Sequence, residues 1–139
     1  MELTLALLWL HVAGNVVWIG SILSVGLILA GAKADAKARG EIALDIYRRL
    51  AVPAFVVSFV CCAVRLGLDA SYYLKEHHWM HGKLTLALGV IALHHIIGAR
   101  ARKMAAGTVQ DAGPVGKLTA ALAVLALGVT FVAIFKIPG

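Results

Sequence analysis

The chain has 139 residues, of which 61% are hydrophobic and only 14% are charged. An ordinary soluble domain is about 45–50% apolar and about 25% charged. The composition therefore argues against a soluble or a disordered chain and indicates a membrane protein. The formal net charge is +6. Because basic residues collect in cytoplasmic loops, we take this charge as a sign of topology and expect no nucleic acid as a partner.

Four segments are long and apolar enough to cross a bilayer core, which takes about 20 residues of helix. They cover residues 3–30, 50–68, 79–98 and 118–135. These spans and their short connections use nearly the whole chain. We therefore predict one transmembrane domain over residues 1–139, an all-α bundle of four helices in a lipid bilayer.

Basic residues are divided unequally between the two ends of this bundle. The first and third loops share one side and carry nine of the 13 Lys and Arg residues. Those nine are Lys33, Lys37, Arg39, Arg48, Arg49, Arg100, Arg102, Lys103 and Lys117. The positive-inside rule places these loops in the cytoplasm and both termini on the outer side. We expect a multi-pass protein of the bacterial inner membrane with periplasmic N- and C-termini.

Ionisable side chains inside membrane spans are costly, so they are candidates for function. Six are present: His11, Arg65, His81, Lys83, His94 and His95. At about 1.5 Å of rise per residue, the first four lie in the outer half of the bundle. The same rise places His94 and His95 about 20 Å lower, near the cytoplasmic face.

Helical spacing arranges these residues in three stripes, one on each of the first three spans. The stripes are His11, Asn15 and Trp18; then Ser58, Cys61, Cys62 and Arg65; then His81, Thr85, Leu88, Ala92 and His95. Imidazoles and charges avoid lipid, so all three stripes are predicted to face inwards.

Two imidazoles that face each other from different helices can hold a haem iron, and nearby Arg or Lys can pair with its carboxylates. His11 opposite His81, with Arg65 and Lys83 alongside, has that composition. His95 would suit a second haem about 21 Å away, but no further histidine is available on another span. One outer haem is therefore favoured. Structural hydrogen bonding by His11 and interfacial positions for the other histidines and for Arg65 remain open.

Three histidines and a methionine before the third span form a second candidate site. They are His77, His78, Met80 and His81. Imidazole suits copper and zinc, and a thioether suits cuprous ion, so copper is the alternative metal. The sequence has no HExxH, CxxC or phosphate-binding glycine loop, and no Asp or Glu inside a span.

Motifs in the first three spans resemble one family. They are LWLHVAGNVVWIG with His11, Gly14 and Trp18; YRRLAVPA with Tyr47, Arg48 and Pro53; and WMHGKL with Trp79, His81 and Lys83, followed by His94 and His95. These segments are similar to the HemJ-type protoporphyrinogen oxidases, which are small membrane proteins of four or five spans. They are also similar, less closely, to CopD-type membrane domains, which are linked to copper handling.

The resemblance to HemJ implies oxidation of protoporphyrinogen IX to protoporphyrin IX, with a bound haem b and quinone as electron acceptor. It implies that His11 and His81 bind haem iron and act with Lys83 in catalysis. Cofactor contacts are expected from His11, His81, Arg65, Lys83, Trp18, Trp79, Asn15, His94 and His95. A copper protein and a non-catalytic haem-binding protein are the alternatives. Glycines in the spans are compatible with a homodimer.

Overall fold

The computed structural model describes residues 2–136, which form helices and loops with no strand among them. The helices are α1 (Glu2–Ala30), α2 (Ala36–Ile46), α3 (Val52–Leu68), α4 (Trp79–Ala105) and α5 (Val115–Phe135). Four helical stretches are long and apolar enough to cross a membrane, because α2 and α3 run on as one. The prediction of an all-α bundle with four spans is confirmed. The side on which the termini lie stays a prediction.

A π-helical turn, Tyr47–Ala51, joins α2 to α3 without a break. In this turn the N–H of Val52 bonds to the carbonyl of Tyr47, five residues earlier. Pro53 follows directly, has no N–H and crowds the carbonyl four residues before it, so a regular α-helix is disfavoured here. The turn therefore carries the helix past a proline that would otherwise end or kink it.

Several helices extend beyond the predicted spans. The second span was predicted from residue 50, but the helix begins after Asp35, whose carboxylate accepts the N–H of Ala38 at 2.9 Å. Helix α4 continues to Ala105 because Ala, Arg and Lys are strong helix formers beyond the bilayer core. Its end is a Schellman turn, with Gly107 at a φ of 71° and Thr108 N–H bonded to the carbonyl of Lys103.

Close packing is concentrated at one end of the bundle, which we call the basic end because it carries the nine basic residues named above. Gly26 of α1 lies against Thr119 of α5, and Gly98 of α4 lies against the ring of Tyr47, so a Cβ at either glycine would overlap its neighbour. Apolar side chains with no exposed surface all lie in this half: Ile22, Val25, Leu29, Ala43, Ala51, Ile97, Ala101, Met104 and Leu122.

The opposite end, which we call the cavity end, is packed in pairs. It contains the starts of α1 and α4 and the ends of α3 and α5. Helix α3 packs against α1, and α4 packs against α5. Among the described residues, α3 makes no extended backbone contact with α4 or α5. The two pairs therefore leave space between them at this end.

We predict that Gly26→Ala lowers the free energy of unfolding by about 1–3 kcal/mol, because its methyl group is forced into Thr119. Gly20→Ala is the matched control on the same helix, since a Cβ there meets nothing within 4 Å. Both changes gain about the same helix propensity. Thermal unfolding in detergent measures both, and equal stability of the two variants would contradict the close approach.

Candidate functional site

Two adjoining cavities lie between the helix pairs at the cavity end. The inner cavity has a volume of about 560 Å³ and the outer cavity, nearer the helix ends, about 680 Å³. They share the residues His11, Asn15, Val16, Cys62, Lys83, Leu84, Val129 and Thr130. Both volumes fall in the range of about 300–1,000 Å³ that is typical of small-molecule sites.

The two cavities differ in chemical character. The inner cavity is largely apolar and includes the rings of Trp18 and Phe55. The outer cavity is lined by three cationic side chains, Arg65, Lys83 and Lys136. Among the described residues, no Asp or Glu lines either cavity. The joined space is therefore suited to a molecule with an apolar body and an anionic end.

His11 stands at the junction of the cavities in a closed ring of hydrogen bonds. Its Nδ1–H donates to the backbone carbonyl of Ser58 at 2.9 Å. The Ser58 hydroxyl donates to Asn15 Oδ1 at 2.7 Å, and the Asn15 amide donates to His11 Nε2 at 3.2 Å. The ring ties α1 to α3, and we assign the proton of His11 to Nδ1 from these partners.

With Nδ1 held by the carbonyl of Ser58, Nε2 is the nitrogen of His11 that could accept a metal ion. A metal-binding histidine commonly donates its other ring N–H to a carbonyl or carboxylate, which fixes the orientation of the ring. The carbonyl of Ser58 takes that position here. Ligation through Nε2 then requires only that the amide of Asn15 turns away from it.

Hydrogen-bond donors without partners surround the outer cavity. Arg65 donates to the Tyr73 hydroxyl at 3.1 Å, but its buried Nε has no partner among the described residues. The buried indole Nε1 of Trp79, which is 9% exposed, has none either. Both residues line the outer cavity. Unpaired buried donors are costly, and an anionic acceptor in the cavity would pair with them only if the two side chains turned toward it.

His94 lies outside both cavities, in an aromatic cluster toward the basic end. It has no exposed surface, and its Nδ1 accepts the indole N–H of Trp18 at 3.1 Å. Its ring centroid is 4.9 Å from that of Tyr47 and 5.2 Å from that of Phe55, at shallow interplanar angles. His94 therefore fixes the indole of Trp18, which forms a wall of the inner cavity.

The predicted inward stripe on α4 is wrong. His81, Thr85, Leu88, Ala92 and His95 are all exposed on the outside of the bundle. The opposite face of α4, with Lys83 and His94, faces inwards instead. In this rotation Gly89 closely approaches Leu125 and Gly98 closely approaches Tyr47.

His81 consequently does not meet His11. Its Nε2 is 3.0 Å from the carbonyl of Leu74, and it lines neither cavity. The pairing of these two histidines across one haem is therefore absent from this arrangement of the described residues. The inward orientation of the first two stripes is confirmed. His11, Asn15 and Trp18 of α1 line the cavities. Of the α3 stripe, Ser58, Cys62 and Arg65 line them too, and Cys61 is buried.

The candidate copper ligands are dispersed. His77 packs edge-on against Tyr72, with ring centroids 4.3 Å apart, and the rings of His78 and His81 are 6.4 Å apart. Met80 is buried in the wall of the outer cavity. Within residues 2–136 there is no group of three or more His, Cys, Asp or Glu that could hold a metal ion.

Sequence reasoning missed several residues of the site: Ser58 as the partner of His11, Phe55, Tyr73 and Lys136. The sequence places Ser58 on the same face of α3 as Arg65. A single serine does not indicate, however, which residue of another helix it bonds to. Tyr73 and Lys136 lie at helix ends, where a sequence does not show which direction the chain turns.

We predict that Ser58→Ala lowers the free energy of unfolding by about 1–3 kcal/mol, because the half-buried Oδ1 of Asn15 loses its donor. Ser24→Ala is the matched control, since Ser24 is exposed and bonds only within its own helix. It should change stability by less than about 0.5 kcal/mol. In an Asn15→Ala background the Ser58 substitution should cost less, and additive effects would exclude the hydrogen-bonded ring.

Comparison of the chain with protein-family models, with curated proteins and with solved structures gives no match. The resemblance to the HemJ-type oxidases therefore depends on the motifs of the sequence alone. The chemistry of the two cavities is therefore the structural basis for a proposed function.

Proposed function

We propose that this protein is a membrane oxidoreductase that binds haem b in the joined cavities and oxidises a porphyrinogen. The observation that carries the proposal is the position of His11, where an apolar cavity meets a cavity lined by three cations. A porphyrin has the same division, with a flat apolar ring and two carboxylates at one edge. The motifs of the first three spans favour protoporphyrinogen IX as the substrate.

The residues present fit such a group. His11 offers Nε2 to an iron, with Nδ1 already held by the Ser58 carbonyl. Arg65, Lys83 and Lys136 offer cationic partners for carboxylates, and charge-assisted hydrogen bonds of this kind are the strong ones. Haem supplies one-electron redox chemistry when bound.

Oxidation of a porphyrinogen to a porphyrin releases six electrons and six protons, so the site needs proton acceptors as well as an electron acceptor. His11 and Lys83 are the ionisable residues that line both cavities, apart from Cys62. We assign His11 to the iron and Lys83 to proton transfer, in which the neutral amine accepts a proton and the ammonium that results pairs with a carboxylate. A quinone dissolved in the bilayer would take the electrons.

The proposed orientation is that of a bacterial inner-membrane protein. The basic end would face the cytoplasm of a bacterial cell, and both termini and the mouth of the outer cavity would face the periplasm. A homodimer stays a prediction. So does the copper alternative, and the metal content of the purified protein distinguishes copper from haem.

We predict that the purified protein has a Soret band, and that His11→Ala loses it because the iron loses its protein ligand. His81→Ala is the matched control and should keep the band, since His81 lines neither cavity. Absorption spectra of the oxidised and dithionite-reduced protein, with iron and copper analysis, measure this. A full Soret band in His11→Ala would refute the assignment, and bound copper that is lost in His77→Ala would favour the alternative.

We also predict that Lys83→Gln and Arg65→Gln each weaken binding of haemin about tenfold, by removing a charge-assisted hydrogen bond of about 1.5 kcal/mol. Lys75→Gln is the control, because Lys75 lines neither cavity. Haemin dimethyl ester has no carboxylates, so the same substitutions should leave its affinity unchanged. Equal losses with haemin and with its ester would show that the two side chains act on folding and not on the carboxylates.

Catalysis requires a separate assay. The protein in vesicles with a quinone should convert protoporphyrinogen IX to fluorescent protoporphyrin IX faster than vesicles alone. Lys83→Gln should slow this conversion more than Lys75→Gln does. A haem-loaded protein without activity would favour the non-catalytic alternative.

A further inference from the structure

Some side chains of the cavity walls also form the outside of the bundle. Val16 of α1 and Leu127 of α5 line the inner cavity, and each is 70% exposed. Val12 and Ile134 line the outer cavity and are 52% and 67% exposed. Cavity walls that are this exposed indicate that the cavities reach the surface here. We call these four residues the portal.

The four portal residues border a slot between α1 and α5. Near the basic end Gly26 of α1 lies against Thr119 of α5, and nearer the cavity end residues of both helices line the cavities. Val12 and Val16 are four residues apart and share one face of α1. Leu127 and Ile134 are seven apart and share one face of α5. These exposed faces of α1 and α5 thus form the part of the cavity walls that reaches the surface of the bundle.

The slot extends from the cavity end of α5, at Ile134, to the depth of the bilayer core at Val16. Val16 is 14 residues from the start of α1, which places it about 21 Å along a helix that is long enough to span the membrane. All four portal residues are aliphatic. An aliphatic opening at this depth faces lipid chains and not water.

We infer that the cavities open sideways into the bilayer through this portal, and that their ligand enters from the hydrocarbon layer. The ligand is then a molecule dissolved in the membrane, whose apolar body passes between α1 and α5 while its anionic end reaches Arg65, Lys83 and Lys136. The identity of the ligand as a porphyrin depends on the proposed function. The portal depends only on the geometry of α1 and α5.

Fluorescence of Trp18 tests the portal without any haem. Trp18 lines the inner cavity and is only 7% exposed, so bromine atoms on lipid chains reach its surroundings through the portal. A variant with Trp18 alone (Trp9→Phe, Trp79→Phe) is compared in vesicles of phosphatidylcholine with and without 9,10-dibromostearoyl chains. The loss of emission should be comparable to that of a variant with Trp9 alone, which is 68% exposed.

Two pairs of phenylalanine substitutions, one at the portal and one away from it, are then compared. Val16→Phe with Leu127→Phe should strongly reduce the quenching of Trp18. The matched pair, Val17→Phe with Val124→Phe, changes exposed residues of the same helices that line neither cavity, and should leave quenching unchanged. Thermal unfolding of each variant confirms that it is folded.

The proposal is overturned if Trp18 is unquenched while Trp9 is quenched, or if both phenylalanine pairs affect Trp18 equally. In a second measurement, protoporphyrin IX is supplied from vesicles. The protein with Val16→Phe and Leu127→Phe should take it up more slowly than the protein with Val17→Phe and Val124→Phe. Quenching without porphyrin uptake would retain the portal and reject the porphyrin, so the two proposals fail separately.

Discussion

The close approach of helices at the basic end is the constraint on which the remaining structure depends. Glycine at positions 26, 40 and 98 allows a neighbouring side chain or backbone to occupy the space of a Cβ. In a membrane, such contacts replace the hydrophobic effect as the source of helix association, because lipid tails are as apolar as the core. At the other end the pair α1 and α3 and the pair α4 and α5 leave space between them. The two cavities are the result.

The charged side chains at the cavity end depend on the same separation of the two helix pairs. A charge in the bilayer is tolerated where it faces a cavity and not lipid. Arg65 and Lys83 satisfy this because α3 and α4 are kept apart, so both cations face the space between them. With no acidic residue lining that space, their charges have no compensation within the described part of the chain. Under the proposed function, the carboxylates of the bound porphyrin would supply that compensation.

The sequence predicts the spans well, because apolar length is a strong signal, and it predicts the inward faces of α1 and α3, where polar residues occupy one stripe each. It fails on α4. That helix carries histidine on two faces, His81 and His95 on one and His94 on the other, so polarity does not decide its rotation. In the observed rotation Gly89 approaches Leu125 and Gly98 approaches Tyr47, and composition and spacing do not reveal such contacts between elements.

The hydrogen-bonded ring at His11 contains one bond that joins two helices and one bond that the proposed haem would replace. Its bond from Nδ1 to the Ser58 carbonyl joins α1 to α3 and stays in place whatever Nε2 contacts. Only the bond from the Asn15 amide to Nε2 must be exchanged for a ligand. A neutral hydrogen bond contributes about 1 kcal/mol, so the exchange costs little compared with a metal–imidazole bond. The same histidine can therefore be a structural residue and a ligand, and the two interpretations of His11 do not exclude each other.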